Sequence, residues 1–388
     1  MADAVIVSSV RTAIARAPGA LQHVPAEMFG AAVMREAIRR AQVEPREVED
    51  VIWGNVMAGG GNMGRLTALQ AGLPVEVPGV TVDRQCGSGL QSICFASQAI
   101  KADDADILLA GGSDSMTRAP FLMERPDSAY PRRAPRFYYP RLSPESIGDP
   151  PMGVTAENVA VQYRVSREDQ DAFALRSQQN AARAIREGRF AEQIVPIPVP
   201  AGKGETVLFA QDEHPRPDTS LERLAALRPV FQKDGTVTAG NASGINDGAG
   251  AAVLMSAETA AKKGLAPLGR IVAWAVAGVD PNLMGMGPVP AVQKVLRKAN
   301  MTLQEIDLIE LNEAFASQSL ACIRELRMDP DRVNVNGGAI ALGHPIAGTG
   351  AILTAKLLYE LRRSGGRFGM VTACIGGGQG IATIFERL

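Results

Sequence analysis

Histidine and cysteine are scarce: the 388 residues hold 3 His and 4 Cys. Cys86, Cys94, Cys322 and Cys374 stand far apart and form no C-x-x-C pair, which excludes a disulfide framework or a zinc site read from spacing. Free thiols predict a reducing, cytoplasmic setting. An excess of either charge is also missing. Lys+Arg 40 nearly cancels Asp+Glu 41, so the basic surplus needed for broad phosphate binding is lacking and nucleic acid is not an expected partner. No apolar run reaches the ~20 residues that span a bilayer, so no membrane insertion is expected. The chain runs early into Ala4-Val5-Ile6-Val7 without a basic region and a long apolar one, and it ends in Glu386-Arg387-Leu388. Neither end predicts secretion or peroxisomal import. Aromatics make up 5% while Gly numbers 40, a balance that predicts tight turns more than aromatic-walled pockets. Apolar residues, at 46%, are plentiful, as a packed chain requires. At ~100–200 residues per domain, the length predicts two or three domains.

Along the chain, β-branched runs alternate with amphipathic stretches from Ala4 to about Met116: Ala4–Val10, then Ala26–Ala41, then Val51–Asn55, then a helix from about Gly64. Alternation of that kind predicts an α/β layer with mostly parallel strands. From Arg118 to about Thr238 come Pro-rich and Arg-rich loops with intervening helices, and Arg132–Arg141 is the most basic stretch. Ser166–Glu187 reads as one long polar helix, capped by Ser166 with Asp169 at the third helical position. After Gly240 the α/β pattern resumes. The two α/β parts echo each other. Val48–Asn55 is matched by Ile306–Asn312, and Gly79–Val82 with its Gly-rich loop, helix and Ile107–Gly112 is matched by Arg332–Asn336, a loop, a helix and Phe368–Cys374. An offset of roughly 260 residues implies one duplicated unit, because solenoid periods are ~20–50. The second copy carries the longer loop, Gly337–Gly350, at the strand end where α/β folds place ligands.

Three reactive positions stand out. Cys86, in Cys86-Gly87-Ser88-Gly89, follows a strand and opens a helix over Leu90–Lys101, where unpaired amides and the dipole lower a thiol pKa. His344 lies between glycines and is followed by Pro345, an elaborate setting for a casual surface imidazole. Cys374 ends a strand before Gly376-Gly377-Gly378, whose amides suit an oxyanion while the thiol suits an acid or base. Cys94 and Cys322 read as core, and His23 and His214, each beside a proline, as surface. Residue types alone leave an acyl-transfer Cys/His/Cys site and a structural role both open. Nucleotide-binding glycine motifs are absent.

The chain resembles the thiolase family over essentially its whole length. The likeness rests on Val82–Leu90, Gly153–Asn158 (Gly-Val-Thr-Ala-Glu-Asn), Gly235–Gly248, Asn312-Glu313-Ala314-Phe315, the His344 loop and Cys374–Gly380. It implies the α/β thiolase fold: duplicated βαβαβαββ halves forming a five-layered αβαβα core with an inserted loop domain. The implied division is 1–117 and 241–266 for the first half, 118–240 for the insertion, and 267–388 for the second half. The implied reaction is CoA-dependent cleavage of 3-oxoacyl-CoA, or the reverse condensation of two acetyl-CoA, by a ping-pong route.

By the same resemblance, Cys86 carries the acyl group, and His344 activates it and holds the thioester oxygen. Cys374 is the acid/base, Asn312 positions a water, and the amides of Cys86 and Gly376 form a second oxyanion hole. Arg216, Ser243, Met284, Ala314 and Phe315 match the family's coenzyme A contacts. Coenzyme A is then a substrate, with no permanently bound cofactor and no metal. Acyl-CoA, coenzyme A and further copies of the chain, as a dimer or tetramer, are the expected partners, with Arg132–Arg141 an assembly contact or solvated surface. Two departures bear on chain length: Pro151 stands where short-chain biosynthetic relatives carry histidine, and Ala347-Gly348-Thr349-Gly350 replaces Gly-x-Ser-Gly. A decarboxylating ketoacyl synthase would lack Cys374, and a non-catalytic subunit would have little use for all three reactive residues.

Overall fold

The computed structural model describes residues 3–126, 128, 130, 133–202 and 204–388, so Arg132 of the basic stretch lies outside the described residues. The first part alternates β1 (Ala4–Thr12), β2 (Ala15–Arg16), α1 (Ala26–Arg40), β3 (Asp50–Gly54), α2 (Met63–Gln70), β4 (Gly79–Val82), α3 (Ser88–Lys101) and β5 (Ile107–Ser115). The middle holds α4 (Met152–Gln162), α5 (Arg167–Arg186), β6 (Ile194–Val195), β7 (Ile197–Gly202), β8 (Glu205–Phe209) and α6 (Leu221–Ala225). Then come β9 (Asn246–Ser256), α7 (Ala257–Lys262), β10 (Gly269–Gly278), α8 (Pro288–Ala299) and β11 (Leu308–Leu311). The chain closes with α9 (Ala316–Leu326), α10 (Ala339–Leu342), α11 (Thr349–Ser364), β12 (Phe368–Ile375) and β13 (Gln379–Glu386).

Local chemistry explains the boundaries. In α1, Phe29, Val33, Met34, Ala37 and Ile38 form one buried face, with Glu27 in the first turn and Arg39 and Arg40 in the last, as the helix dipole favours. Ser166 caps α5 by accepting the Asp169 amide at 3.0 Å. Gly365 ends α11 at φ 79, a left-handed turn that suits glycine. Two strands of the middle segment were not legible as such. The β7–β8 hairpin forms where loops were expected, because Ile197 and Val199 bury one face while Pro198 and Pro200 stay exposed on the other.

One hydrogen-bonded path runs β11-β12-β13-β10-β1-β9-β5-β3-β4. Outward from the centre, β1-β9-β5 is antiparallel and β5-β3-β4 parallel; likewise β10-β13-β12 is antiparallel and β12-β11 parallel. The second half replaces a β4 ladder by one parallel bridge, Ile309 to Val333. Details repeat as well. A bulge between Ile6 and Ser8 recurs between Ile271 and Ala273. Glu49 accepts the Asp106 and Ile107 amides just as Asp307 accepts those of Arg367 and Phe368. The seam between halves is short, Val5 with Arg270 and Ile6 with Gly269.

Strand alternation sorts the core into layers. Leu109 of β5 packs with Phe29 and Met34 of α1, whereas Leu108 and Ala110 face inward. On β12, Met370 packs with Val292 and Val295 of α8 and Cys322 of α9, whereas Val371 and Ala373 face inward. Between the two inner faces lie α3 and α11, through Leu90, Ile93, Leu353 and Leu357. The order is therefore helices, sheet, α3 with α11, sheet, helices. At the start of this middle layer the two helices touch backbone to backbone. A Cβ on Gly350 would lie 2.2 Å from the Leu90 nitrogen, and one on Gly89 would lie 2.5 Å from the Ala347 oxygen.

Candidate active site

Both middle helices begin with a 3-10 turn, Gln85–Gly87 before α3 and Ile346–Gly348 before α11. Cys86 sits within the first turn, not on the helix itself. The turn is held locally: Asp83 accepts the Gln85 amide at 2.8 Å, and Ser88 accepts the Arg84 amide at 2.9 Å while donating to the Gln85 carbonyl at 2.6 Å. Gln85 takes φ 45, which turns the backbone sharply before the cysteine. The turn packs on the end of β12, which brings the Gly376 backbone up beside Gln85 and Cys86.

His344 is buried between α10 and the second turn. Its amide donates to Asn246 Oδ1 at 3.0 Å. Its Nδ1 lies 2.6 Å from Thr349 Oγ1, and that hydroxyl donates to the Pro345 carbonyl at 3.1 Å. A hydroxyl whose proton is so committed accepts from Nδ1–H, which leaves the lone pair on Nε2. The altered Ala-Gly-Thr-Gly sequence therefore still supplies the hydroxyl that orients the ring. Nε2 faces Asn312 Nδ2 at 3.4 Å, while Asn312 Oδ1 is buried without a protein partner among the described residues. Cys374, fully buried at the end of β12, packs with Met284, Ala314 and Phe315.

Burial dominates the electrostatics. It pushes the Cys86 thiol up to about 11, and the Gly376 and Cys86 amides offset this only in part. The lowered pKa expected from a helix start is thus corrected: a terminal dipole is worth ~0.3–1 kcal/mol, less than the cost of a thiolate on the half-buried Cys86. Desolvation drives His344 down to about 4, so its imidazole is neutral. Burial, and next the neighbouring Cys86, raise Cys374 well above an ordinary thiol. The three side chains rest as thiol, imidazole and thiol.

His214 also departs from its surface assignment. Its ring packs on Gly244, where a Cβ would meet Cε1 at 2.2 Å, and burial pushes its pKa down to about 4. His23 is exposed, and Cys94 and Cys322 are core residues bonded to Thr383 and to the Gly285 carbonyl. His214 and Arg216 line a polar cavity of about 290 Å³ with Arg223 and Gly240. From there contacts run inward: Ser243 donates its amide to the Ala314 carbonyl at 2.9 Å, and Ala242 bridges Phe315, which packs with Met284 and Cys374. All five residues assigned to coenzyme A thus lie on one path from this cavity to Cys374. A second, apolar cavity of about 590 Å³ opens beside Gln85 and is walled by Met57, Met116, Phe121, Tyr138 and Leu142.

Buried supports of the site were not singled out from the sequence. Glu313 accepts from Ser177, Asn334 and the Ile340 amide, which ties the residue after Asn312 to the loop before His344. Lys356 on α11 pairs with Glu310 at 2.8 Å and donates to the Gly337 carbonyl. Asp114 at the end of β5 accepts the Ala347 amide. Their common signal is a charge placed inside an apolar strand or helix. Among the described residues, no cluster of three or more His, Cys, Asp or Glu could hold a metal, and no helix is long and apolar enough to cross a membrane.

Comparison with known proteins is consistent across the chain. Residues 4–258 match the family model described as "Thiolase, N-terminal domain", and residues 265–387 match "Thiolase, C-terminal domain". An acetyl-CoA acetyltransferase of Pseudomonas aeruginosa is 48% identical, with 100% of each chain covered. A beta-ketoadipyl-CoA thiolase of Acinetobacter baylyi is also 48% identical, again with 100% of each covered. The crystal structure of human mitochondrial 3-ketoacyl-CoA thiolase superposes with a TM-score of 0.94 at 42% identity, covering 100% of this chain and 99% of that one.

Proposed function

The chain belongs to the thiolase family, and from that premise we propose which of its side chains perform the acyl transfer. As an acyltransferase of this family it cleaves 3-oxoacyl-CoA with coenzyme A to acyl-CoA and acetyl-CoA, or runs the reverse condensation. His344 Nε2 takes the Cys86 proton as the sulfur attacks the keto carbon, so neither group need carry its charge in the resting, desolvated site. The carbon–carbon bond breaks, its electron pair passes to the acetyl-CoA enolate, and the Cys374 thiol protonates that carbon. Free coenzyme A then gives its thiol proton to the Cys374 thiolate and attacks the Cys86 thioester. Acyl-CoA departs, and Cys86 recovers its proton from His344.

Two oxyanions arise at different places. The Gly376 and Cys86 amides suit the oxyanion on the tetrahedral carbon bonded to the Cys86 sulfur, and His344 with Asn312 suits the thioester oxygen of the enolate. The placement of Cys86 in the turn that starts α3, packed against the end of β12 that carries Cys374, is the observation that carries the assignment. Arg216 and the polar cavity suit the coenzyme's phosphates, and the route past Ser243, Ala314, Phe315 and Met284 suits its extended arm. Room beside Gln85 suits acyl groups longer than acetyl. We place the halves at 1–117 with 241–266 and at 267–388, with 118–240 inserted; the pairing of β9 with β1 and β5 supports this division. An assembly of two or four copies in the cytoplasm completes the proposal. The test follows coenzyme A-dependent loss of 3-oxoacyl-CoAs from four carbons upward, for wild type and Cys86→Ala. Wild type should turn over at least one chain length, and Cys86→Ala should retain less than about 1%. Unchanged turnover in the variant would overturn the nucleophile.

A further inference from the structure

The same device is built twice, once in each half. The turn Gln85–Gly87 packs on the end of β12, and the turn Ile346–Gly348 packs on the end of β5. Cys86-Gly87-Ser88-Gly89 and Ala347-Gly348-Thr349-Gly350 therefore occupy equivalent places at the starts of α3 and α11. Facing them, Ile375 and Asp114 are equivalent: Ile375 pairs with Gln379 across β12–β13, as Asp114 pairs with Gly248 across β5–β9.

The two copies differ in what faces the turn. At the first, Ile375 is apolar, and its Cδ1 lies 2.7 Å from where a Cβ on Gly87 would stand. It offers no acceptor, so the amides at Cys86 remain available for a reacting oxygen. At the second, Asp114 is fully buried. Its Oδ2 accepts the Ala347 amide at 2.7 Å. Its Oδ1 accepts the Val56 amide at 3.0 Å, the Met57 amide at 2.9 Å and Asn55 Nδ2 at 3.0 Å. A carboxylate oxygen thus stands on the Ala347 amide where, in the other half, the proposed chemistry puts an oxyanion on the Cys86 amide.

We propose that Asp114 is a positioning residue: its carboxylate occupies, in the other half, the place equivalent to the oxyanion hole at Cys86, and thereby clamps the turn next to His344 to the turn after β3. This rests on the thiolase reading and extends it to a residue that touches no substrate. Amides at a helix start favour an anion, and here the chain supplies one from its own side chain, although burial raises the Asp114 carboxyl to about 6 against the pull of the Met57, Ala347 and Val56 amides. Ala347 lies between His344 and Thr349, whose hydroxyl fixes the ring, so Asp114 acts on the reaction through that short stretch. On the other side it holds Met57, which walls the apolar cavity beside Gln85.

Steady-state thiolysis by Asp114→Ala, with and without sodium formate, tests this. The kcat should fall about 10–100-fold, as small misplacements of catalytic groups do. The KM for coenzyme A should stay within about twofold, since the nucleotide path is untouched. Formate fits the vacated carboxylate place and should restore kcat saturably in the variant while leaving wild type unaffected. A kcat unchanged in Asp114→Ala, or a loss that formate does not recover, would overturn the proposal. Should Asp114→Ala fail to fold, the isosteric Asp114→Asn carries the test: it presents an NH2 group to an amide donor, so kcat should fall without formate recovery, and an unchanged kcat would again overturn it. Wild-type turnover in the same assay separates the two ideas, because its absence on every substrate would remove the thiolase reading and this proposal with it.

Discussion

His344 meets its reaction as a neutral base because the protein around it is dry. Burial holds its pKa at about 4, against 6.5 for an ordinary histidine. Between those values the unfolded chain binds a proton that the folded one does not, so the histidine's part of stability is present above pH 6.5 and lost as pH falls toward 4. Comparison with His344→Gln isolates this from other acid-sensitive groups. From pH 7 to pH 5 wild type should lose about 2 kcal/mol relative to the variant, read from urea midpoints. Equal losses in both would refute the buried neutral assignment. The identities of Cys86, His344 and Cys374 were legible in the sequence because rare reactive types stood in glycine-rich settings. Their protonation was not, since the cost of burial depends on what the fold stacks above them. His214 misled for the same reason: a neighbouring proline suggested surface, but Gly244 gives its ring a bed.

At the scale of elements, the site depends on how closely α3 and α11 approach. Replacing glycine by alanine inside an ordinary helix gains about 1 kcal/mol. Gly350→Ala should instead destabilise by about 1–3 kcal/mol, because its Cβ would meet the Leu90 backbone at 2.2 Å and the helices must part. Thermal unfolding checks the sign, and an unfolding temperature raised by the substitution would refute the close contact. Element type was readable wherever period and caps agreed, as in α1 and in α5 with Ser166. The β7–β8 hairpin and Asp114 were not. Proline on an exposed strand face reads as loop, and a carboxylate within β5 has no visible partner until Ala347 arrives from the other half.

For the whole molecule, near-neutral charge leaves association to local surface. The segment around Phe121 and Phe137 is such a surface: the two rings pack at 5.6 Å, Met123 bridges Phe137, and Phe137 and Tyr139 remain 72% and 91% exposed. Large exposed aromatics gathered on one such arm of the chain suit a contact with another protein surface. If that arm joins copies of the chain, Phe137→Glu with Tyr139→Glu should lower the mass seen by light scattering to that of a smaller assembly, with unchanged circular dichroism. An unchanged mass would refute the assembly role.

The middle layer also imposes a schedule on synthesis. Helices α3 and α11 bury each other, yet roughly 260 residues separate their starts. At ~5–20 residues per second, a ribosome that has finished α3 needs about 13–50 s to deliver α11. Through that interval Leu90 and Ile93 have no second helix to cover them. The apolar face of α3 is therefore covered in full only once the last part of the chain has been made, so the middle layer is the part of the fold that closes last.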